Sequence, residues 1–327
     1  MNPQKKERKL IMTTHHRIII VVYIPNEEGF YKNSFNVFKL CLDSLISTIN
    51  SKAAITIVNN GSYQKLLDFL NVYLKEKKID TLITHNLNIG KIDAQIGAAR
   101  GSREKYITLS DADILFVKGW QEEVEQVFGN FKNVGSVSPI PVRRGLMAGT
   151  SSVLKQIIFR KVKFKFKVIP ENFENYNKFL VSINWGKETD KEKKWPVVEN
   201  NGINAIVGSA HQVLTIDRDI LFTTSPTNPS LILVGGESEH NYVDIPIDKA
   251  GKLRLATYNN YAYHIGNTLE PWMNSVHDNN LIRDVANLEI VMRPLSSDLF
   301  NTRLKNKFYG LKKKIIKKAF SLIYGNE

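Results

Sequence analysis

The chain has 327 residues, with 45 Lys and Arg against 32 Asp and Glu for a formal net charge of +13, and is 43% hydrophobic and 24% charged. Such a length suits one large core or two modest ones, and such a balance excludes wholesale disorder. No apolar run approaches the roughly 18 residues of a bilayer span, Arg17 to Ile24 lacks a signal-peptide cleavage site, and the single cysteine excludes an internal disulfide, so a cytoplasmic protein is expected.

Residues 1–16 read as a basic N-terminal extension, and 17–140 as a regular alternation of strands and helices. Ile18 to Ile24 is a continuous β-branched run, the pattern of a strand buried on both faces. Phe35, Phe38, Leu42, Leu45, Ile46 and Ile49 recur at helical spacing, which places Cys41 in a helix as a buried core thiol. Ile55 to Val58 predicts a second strand, stopped by the turn residues Asn59-Asn60-Gly61-Ser62. A helix over Leu66 to Leu74 follows, then a strand over Thr81 to Thr84 and a helix over Ile89 to Arg100. Tyr106 to Leu109 is a fourth strand, Gln121 to Phe128 a helix and Val134 to Ser138 a fifth strand. Strict alternation implies an α/β fold with an open, mainly parallel sheet and helices on both faces. Ligands of such sheets bind beyond the carboxyl ends of the strands. Asn26, Asn59, Asn88 and Asp111 each follow a strand and are expected along one edge.

Residues 141–294 are less regular. Arg160 to Lys167 alternates basic and apolar residues, as a half-exposed strand does. Lys187 to Lys194 is a charged stretch expected to be a mobile, lid-like loop. Ala205 to Ile216 has strand character, and Leu253 to Thr257 with Tyr261 to Ile265 reads as a pair of short strands around Asn259-Asn260. The tail, 295–327, is basic and amphipathic: Leu304, Phe308, Leu311, Ile315, Ala319 and Leu322 share a face, and lysines fill the other. Two readings stand, a helix packed on the core with solvated lysines and a helix on the anionic inner face of a membrane. No aromatic-interleaved or zinc-finger pattern supports nucleic acid as the partner.

Asp111-Ala112-Asp113 carries the most chemistry. With 14 aspartates in the chain, chance supplies about one Asp-x-Asp, and Asp217-Arg218-Asp219 is a second copy. The first copy ends a buried strand, where two carboxylates offer hard ligands to Mn²⁺ or Mg²⁺ beside a diphosphate. The second is expected at a helix start, with Asp217 as the cap.

Further stretches gather around the first copy: Tyr23-Ile24-Pro25-Asn26-Glu27, Cys41-Leu42-Asp43-Ser44-Leu45, Val58-Asn59-Asn60-Gly61-Ser62, Asn88-Ile89-Gly90-Lys91 and Ser110-Asp111-Ala112-Asp113. Over Ile18 to Pro139 they make the chain similar to the nucleotide-binding half of family 2 glycosyltransferases of the GT-A fold. The resemblance implies a nucleotide-sugar donor, UDP-sugar before GDP-sugar, held by Pro25, Asn26, Glu27, Asn59, Asn88, Gly90, Lys91 and Ser110 to Asp113. Asn59 stands where that family usually has an acid for the donor base. Gly235 to His240 followed by Lys249-Ala250-Gly251 resembles its Glu-Asp segment and Lys-Ala-Gly turn, with His240 at the usual Asp. The resemblance thus implies Glu239 as base for an inverting transfer, then Glu237 and His240, in an acceptor-binding half over 141–294. Tyr261 to Asn267 resembles the late strand that brings a histidine to the metal, which implies His264 as third ligand. Trp185, Trp195, His211 and Trp272 could stack on an acceptor sugar. The expected acceptor is a saccharide or lipid-linked saccharide, in surface polysaccharide or glycolipid synthesis. A nucleotidyltransferase is the first rival, opposed by the acidic Asn26-Glu27-Glu28-Gly29 after the first strand. The second is a non-catalytic carbohydrate-binding protein, which His240 and Asn59 in place of acids would suit.

Overall fold

The computed structural model describes residues 11–282 and 308–325. Residues 1–10 of the basic extension, and Arg303, Leu304, Lys305 and Lys307 of the tail, lie outside them. Elements follow in chain order as β1 (His16–Val22), α1 (Ser34–Thr48), β2 (Ala53–Asn60), α2 (Gln64–Lys75), β3 (Thr81–His85), α3 (Lys91–Gly101), β4 (Tyr106–Ser110) and β5 (Ile114–Phe116). The order continues with α4 (Trp120–Asn130), β6 (Val134–Ser138), α5 (Ser151–Ile158), β7 (Lys163–Lys167), α6 (Pro170–Ser182), β8 (Trp195–Asn200), β9 (Ile203–Val207) and β10 (Val213–Asp217). Then come α7 (Ile220–Thr223), a π-helical turn (His240–Asp244), α8 (Ile245–Lys249), β11 (Leu253–Thr257), β12 (Ala262–His264), α9 (Pro271–Leu281) and α10 (Tyr309–Tyr324).

A ten-stranded sheet runs β3-β2-β1-β4-β10-β6-β11-β9-β8-β7. β3, β2, β1 and β4 are parallel, β10 is antiparallel to both β4 and β6, and β6 is parallel to β11. The alternation within β1 shows why the sheet is covered on both faces. Ile18, Ile20 and Val22 enter a core with α1 and α4, while Ile19 and Val21 enter a second core with α3 and α7. Cys41 is fully buried in the first core, and burial pushes its thiol up, as expected of an inert core residue.

Three local expectations change. Ala205 to Ile216 is two strands, broken at Gly208 (φ +103°), whose absent Cβ would sit 2.7 Å from Gly145 Cα. Leu253 to Thr257 and Tyr261 to Ile265 do not pair with each other: β11 lies between β6 and β9, and β12 forms a separate two-stranded sheet with β5. Asp217 is not the α7 cap, which by position is Asp219; the Asp217 carboxylate accepts the Asp219 N–H at 3.1 Å and pairs with Lys252 at 2.6 Å. In the charged loop before β8, Glu188 meets Arg143 at 3.2 Å and Lys193, of the same loop, at 3.0 Å.

A largely buried pair stabilises the opposite edge of the sheet, at the amino ends of β1 and β4. Glu104 meets Arg17 at 2.5 Å and accepts the Thr14 hydroxyl at 3.0 Å. Burial alone would raise the Glu104 carboxyl, but the Arg17 contact prevails and holds it at about 2. A depressed carboxylate contributes fully above its unfolded value and loses that contribution as pH falls toward its folded value. Glu104→Gln should therefore cost about 3 kcal/mol at neutral pH. It should also flatten the loss of stability between pH 4.5 and about 2, read as urea midpoints against pH.

Candidate active site and metal centre

β4 is buried along its whole length and stops at Ser110, so the chain leaves the sheet at its carboxyl edge and turns through Asp111-Ala112-Asp113. It returns as β5, whose Ile114 lies opposite His264 of β12, and the Ile265 N–H donates to the Asp113 carbonyl at 2.9 Å. This pairing puts His264 Nε2 3.2 Å from Asp113 Oδ2. One ligand atom from each of Asp111, Asp113 and His264 lies within 4.8 Å of the other two. Two carboxylates and an imidazole are a donor set that fits a divalent cation, and the nitrogen suits Mn²⁺ better than Mg²⁺. Asp111 adds an oxygen, Oδ1, that is shut off from solvent.

The histidine is held from behind. His264 Nδ1 is 2.7 Å from Ser182 Oγ, and that hydroxyl donates to the Phe179 carbonyl at 2.7 Å. The Ser182 oxygen is thus left to accept from Nδ1–H, which leaves Nε2 facing Asp113, a donor to that carboxylate when the imidazole is protonated and a cation ligand when it is not. Burial alone would lower the imidazole's pKa, but the Asp113 contact raises it above the ordinary value.

Lys91 reaches the same place from α3. Gly90 precedes it at φ +95°, and a Cβ there would lie 2.4 Å from the Ile232 carbonyl oxygen. A strap from residue 230 crosses at that point: Lys91 N–H donates to the Leu233 carbonyl at 2.8 Å, and Asp93 accepts the Ser230 and Leu231 N–H groups at 2.7 and 2.9 Å. The strap delivers Glu239. Lys91 Nζ lies 2.6 Å from Asp111 Oδ1 and 3.1 Å from Glu239 Oε1. Burial raises the Asp111 carboxyl, with Lys91 opposing the shift and Asp113 adding to it. Burial would also raise Glu239, but there the ammonium prevails and the carboxyl is held below its ordinary value. Lys91 itself is raised, because its two carboxylates outweigh its burial.

The other expected residues occupy the same edge with varied roles. Pro25 is half-buried, and Asn26 and Glu27 are exposed, Glu27 in an ion pair with Lys65 at 2.7 Å. Asn59 is buried, and its side-chain oxygen accepts the Ser62 N–H at 3.1 Å. Asn60 ties this turn to the next, donating to Asn88 Oδ1 at 2.9 Å and accepting the Ile89 N–H at 3.1 Å. Asn88 Oδ1 also accepts the Gly90 N–H at 2.9 Å. The Ser110 hydroxyl is spent on the Asp111 carbonyl at 2.9 Å, and Ala112 packs against the core. Glu237 is exposed at φ +60°, and among the described residues the ion pairs of Lys91 run to Asp111 and Glu239 instead. Trp195 is buried, Trp272 packs on Tyr263, and Trp185 is 51% exposed.

Two residues escaped the sequence reading. Asp244, buried at the end of the π-helical turn, pairs with Arg254 at 2.6 Å and is faced by His211 and His240 at 3.5 and 3.6 Å. The i, i+4 spacing of His240 and Asp244 was the one available signal. His211 adjoins Gln212, whose carbonyl accepts the Asp111 N–H at 2.8 Å, so this cluster flanks the carboxylates.

The model for glycosyl transferase family 2 matches residues 29–196. No curated protein matches the chain at a significant level. Among solved structures it is similar to the mannosyltransferase PcManGT from Pyrobaculum calidifontis in complex with GDP-Man and Mn²⁺, at 13% identity and TM-score 0.45 over 99% of this chain and 81% of that one. It is similar to GalNAc-T7 with UDP, GalNAc and Mn²⁺ at 13% identity and TM-score 0.46, over 77% of this chain and 44% of that one. For S. aureus TarS the identity is 12% and the TM-score 0.44, over 80% of this chain and 38% of that one. The matched part is thus under half the length of the last two chains.

Proposed function

The chain belongs to glycosyl transferase family 2, and from that premise we propose that it moves a sugar from a nucleoside-diphosphate donor to a hydroxyl acceptor, with a divalent cation and inversion at the anomeric carbon. The observation that carries the reading is the convergence of Asp111, Asp113 and His264 at the end of β4, with Lys91 beside them. Asp111, Asp113 and His264 would hold Mn²⁺ or Mg²⁺, which when bound offsets diphosphate charge and stabilises the leaving group. Ser182 keeps the His264 lone pair turned to that place. Lys91 supplies a fixed cation where the diphosphate collects negative charge as it leaves, and this costs no reorganisation during transfer. The turns at Asn59 and Asn88 and the exposed Asn26 and Glu27 bound the space for the base and ribose. A UDP-sugar is the first candidate donor and a GDP-sugar the second. Incubation with Mn²⁺ and a panel of both tests this: nucleotide release from at least one donor is expected, and release from none at any metal concentration defeats it.

The acceptor side favours a saccharide carried on a lipid, as in surface polysaccharide or glycolipid synthesis. Leu231, Leu233 and Val234 stand 84%, 62% and 71% exposed on the strap that carries Glu239. No helix of the described residues is long and apolar enough to cross a membrane, so contact with lipid would be peripheral. α10 suits that role. It packs inward through Phe320, fully buried, and Ile316, yet Leu311, Ile315 and Leu322 form a second stripe 61%, 59% and 79% exposed. Lys312, Lys314 and Lys318 flank the stripe, an arrangement for an anionic surface. Replacing Leu311, Ile315 and Leu322 by Ser should lower binding to vesicles containing anionic lipid by at least about tenfold at unchanged melting temperature. Sedimentation with vesicles reads this, and unchanged binding removes the membrane from the account.

A further inference from the structure

Glu239 is poorly placed to take a proton. Both its oxygens are engaged, Oε1 by the Lys91 ammonium at 3.1 Å and Oε2 by the Ser238 hydroxyl at 2.9 Å. An ammonium bound to a carboxylate stabilises the charged form and so weakens it as a base. Glu237 is exposed on a left-handed turn, and among the described residues no side-chain partner orients it. The next residue differs from both.

His240 opens the π-helical turn that Asp244 closes, so one turn places the two side chains together, with Nδ1 3.6 Å from Asp244 Oδ2. Asp244 is itself fixed. Arg254 binds its other oxygen at 2.6 Å and is held by the Ser209 carbonyl at 2.9 Å and by the Ala148 carbonyl. Burial would raise the Asp244 carboxyl, but Arg254 and the two imidazoles hold it well below the usual range, so it stays an anion. An anion at that distance draws the imidazole proton to Nδ1 and leaves the Nε2 lone pair free. Among the described residues His240 Nε2 makes no hydrogen bond, and the side chain keeps 39% of its surface exposed. Contacts slightly longer than a hydrogen bond are common in unliganded sites and tighten on binding. Two connections join this group to the carboxylates: Glu239 through Lys91 to Asp111, and His211 through Gln212 to the Asp111 N–H.

We propose that His240, oriented by Asp244, is the general base of transfer, and that Glu239 serves to position Lys91. The inference rests on the transferase reading above. As the acceptor oxygen forms its bond to the anomeric carbon, its proton passes to His240 Nε2. The bond from that carbon to the diphosphate oxygen breaks, and the nucleoside diphosphate leaves with the electron pair. His211 shares the Asp244 oxygen at 3.5 Å and fixes the carboxylate from the other side.

The test uses the full chain with Mn²⁺ and follows hydrolysis of the panel donor that wild type cleaves fastest, water standing in for the acceptor hydroxyl. His240→Ala should lower the rate about 100-fold or more with the Mn²⁺-dependent affinity for the nucleotide unchanged, as loss of a general base predicts. Added imidazole should restore at least about tenfold of that loss, which a structural role would not allow. Combining His240→Ala with Asp244→Asn should weaken the rescue, since free imidazole then lacks its anchor. Glu239→Gln should act mainly on KM. The assignment is overturned if affinity stays normal and His240→Ala keeps a third of the rate. It is equally overturned if imidazole restores nothing while Glu239→Gln abolishes kcat. If instead nucleotide affinity proves indifferent to Mn²⁺ in wild type, the transferase reading itself fails, and this inference with it.

Discussion

Asp113→Asn is expected to cut donor turnover by about 1000-fold, equivalent to about 4 kcal/mol of transition-state stabilisation. Asp113 offers an oxygen to the proposed cation and also faces His264 Nε2 at 3.2 Å. An amide keeps the shape, but it loses the negative charge and presents an N–H₂ where a lone pair is needed. Both the cation and the orientation of His264 would suffer. The fold should not, because Asp113 keeps 23% of its side-chain surface in solvent and its carbonyl, not its carboxylate, makes the β5–β12 link. Nucleotide release and melting temperature, measured together, separate lost chemistry from lost structure. Turnover within tenfold of wild type would remove Asp113 from the site.

Lys91→Met is the second large effect, about 100-fold in kcat/KM, or roughly 2.7 kcal/mol. Methionine retains most of the stem and removes the ammonium that stands 2.6 Å from Asp111 and 3.1 Å from Glu239. The two carboxylates then face each other without their counter-ion, and a buried carboxylate that loses its partner is costly. The sign on the metal is the opposite of that on turnover. An ammonium beside Asp111 competes with a cation for the same oxygen, so the variant should bind Mn²⁺ as tightly as wild type or more so. Its affinity for the nucleoside diphosphate should fall. Weaker Mn²⁺ binding together with normal nucleotide affinity would show that Lys91 supports the ligands rather than the diphosphate.

The carboxylates were legible because their signal is local. A short strand in a regular strand–helix alternation that runs into Asp-Ala-Asp can be read from position, and β4 ends at Ser110 as that reading requires. His264 was reached by resemblance rather than by local pattern. Its partner β5 has only three residues, too few for any period, and nearby residues suggested a hairpin with Leu253 to Thr257 that does not exist. Glu239 was likewise reached by resemblance, and its engagement by Lys91, far away in sequence, was not legible at all. The Asp244 group is the clearest case. Its four members come from β11, the π-helical turn and the loop before β10, and only the His240–Asp244 pair is close in sequence. Contacts that depend on how a sheet is ordered leave no trace in composition or period. The tail held two readings of one apolar face, and the described part of it shows two faces: Phe320 is buried on one, while Leu311, Ile315 and Leu322 of the expected face are exposed.

The central claim, that Asp111, Asp113 and His264 hold a cation through which this member of family 2 engages its donor, is tested most directly by titrating UDP and GDP into the protein calorimetrically, with Mn²⁺ and with EDTA. The account predicts that at least one nucleotide binds wild type with Mn²⁺ at least about tenfold more tightly than with EDTA, and that Asp113→Asn removes this difference. Equal affinity with Mn²⁺ and with EDTA, or a metal-dependent gain that survives in Asp113→Asn, would contradict it.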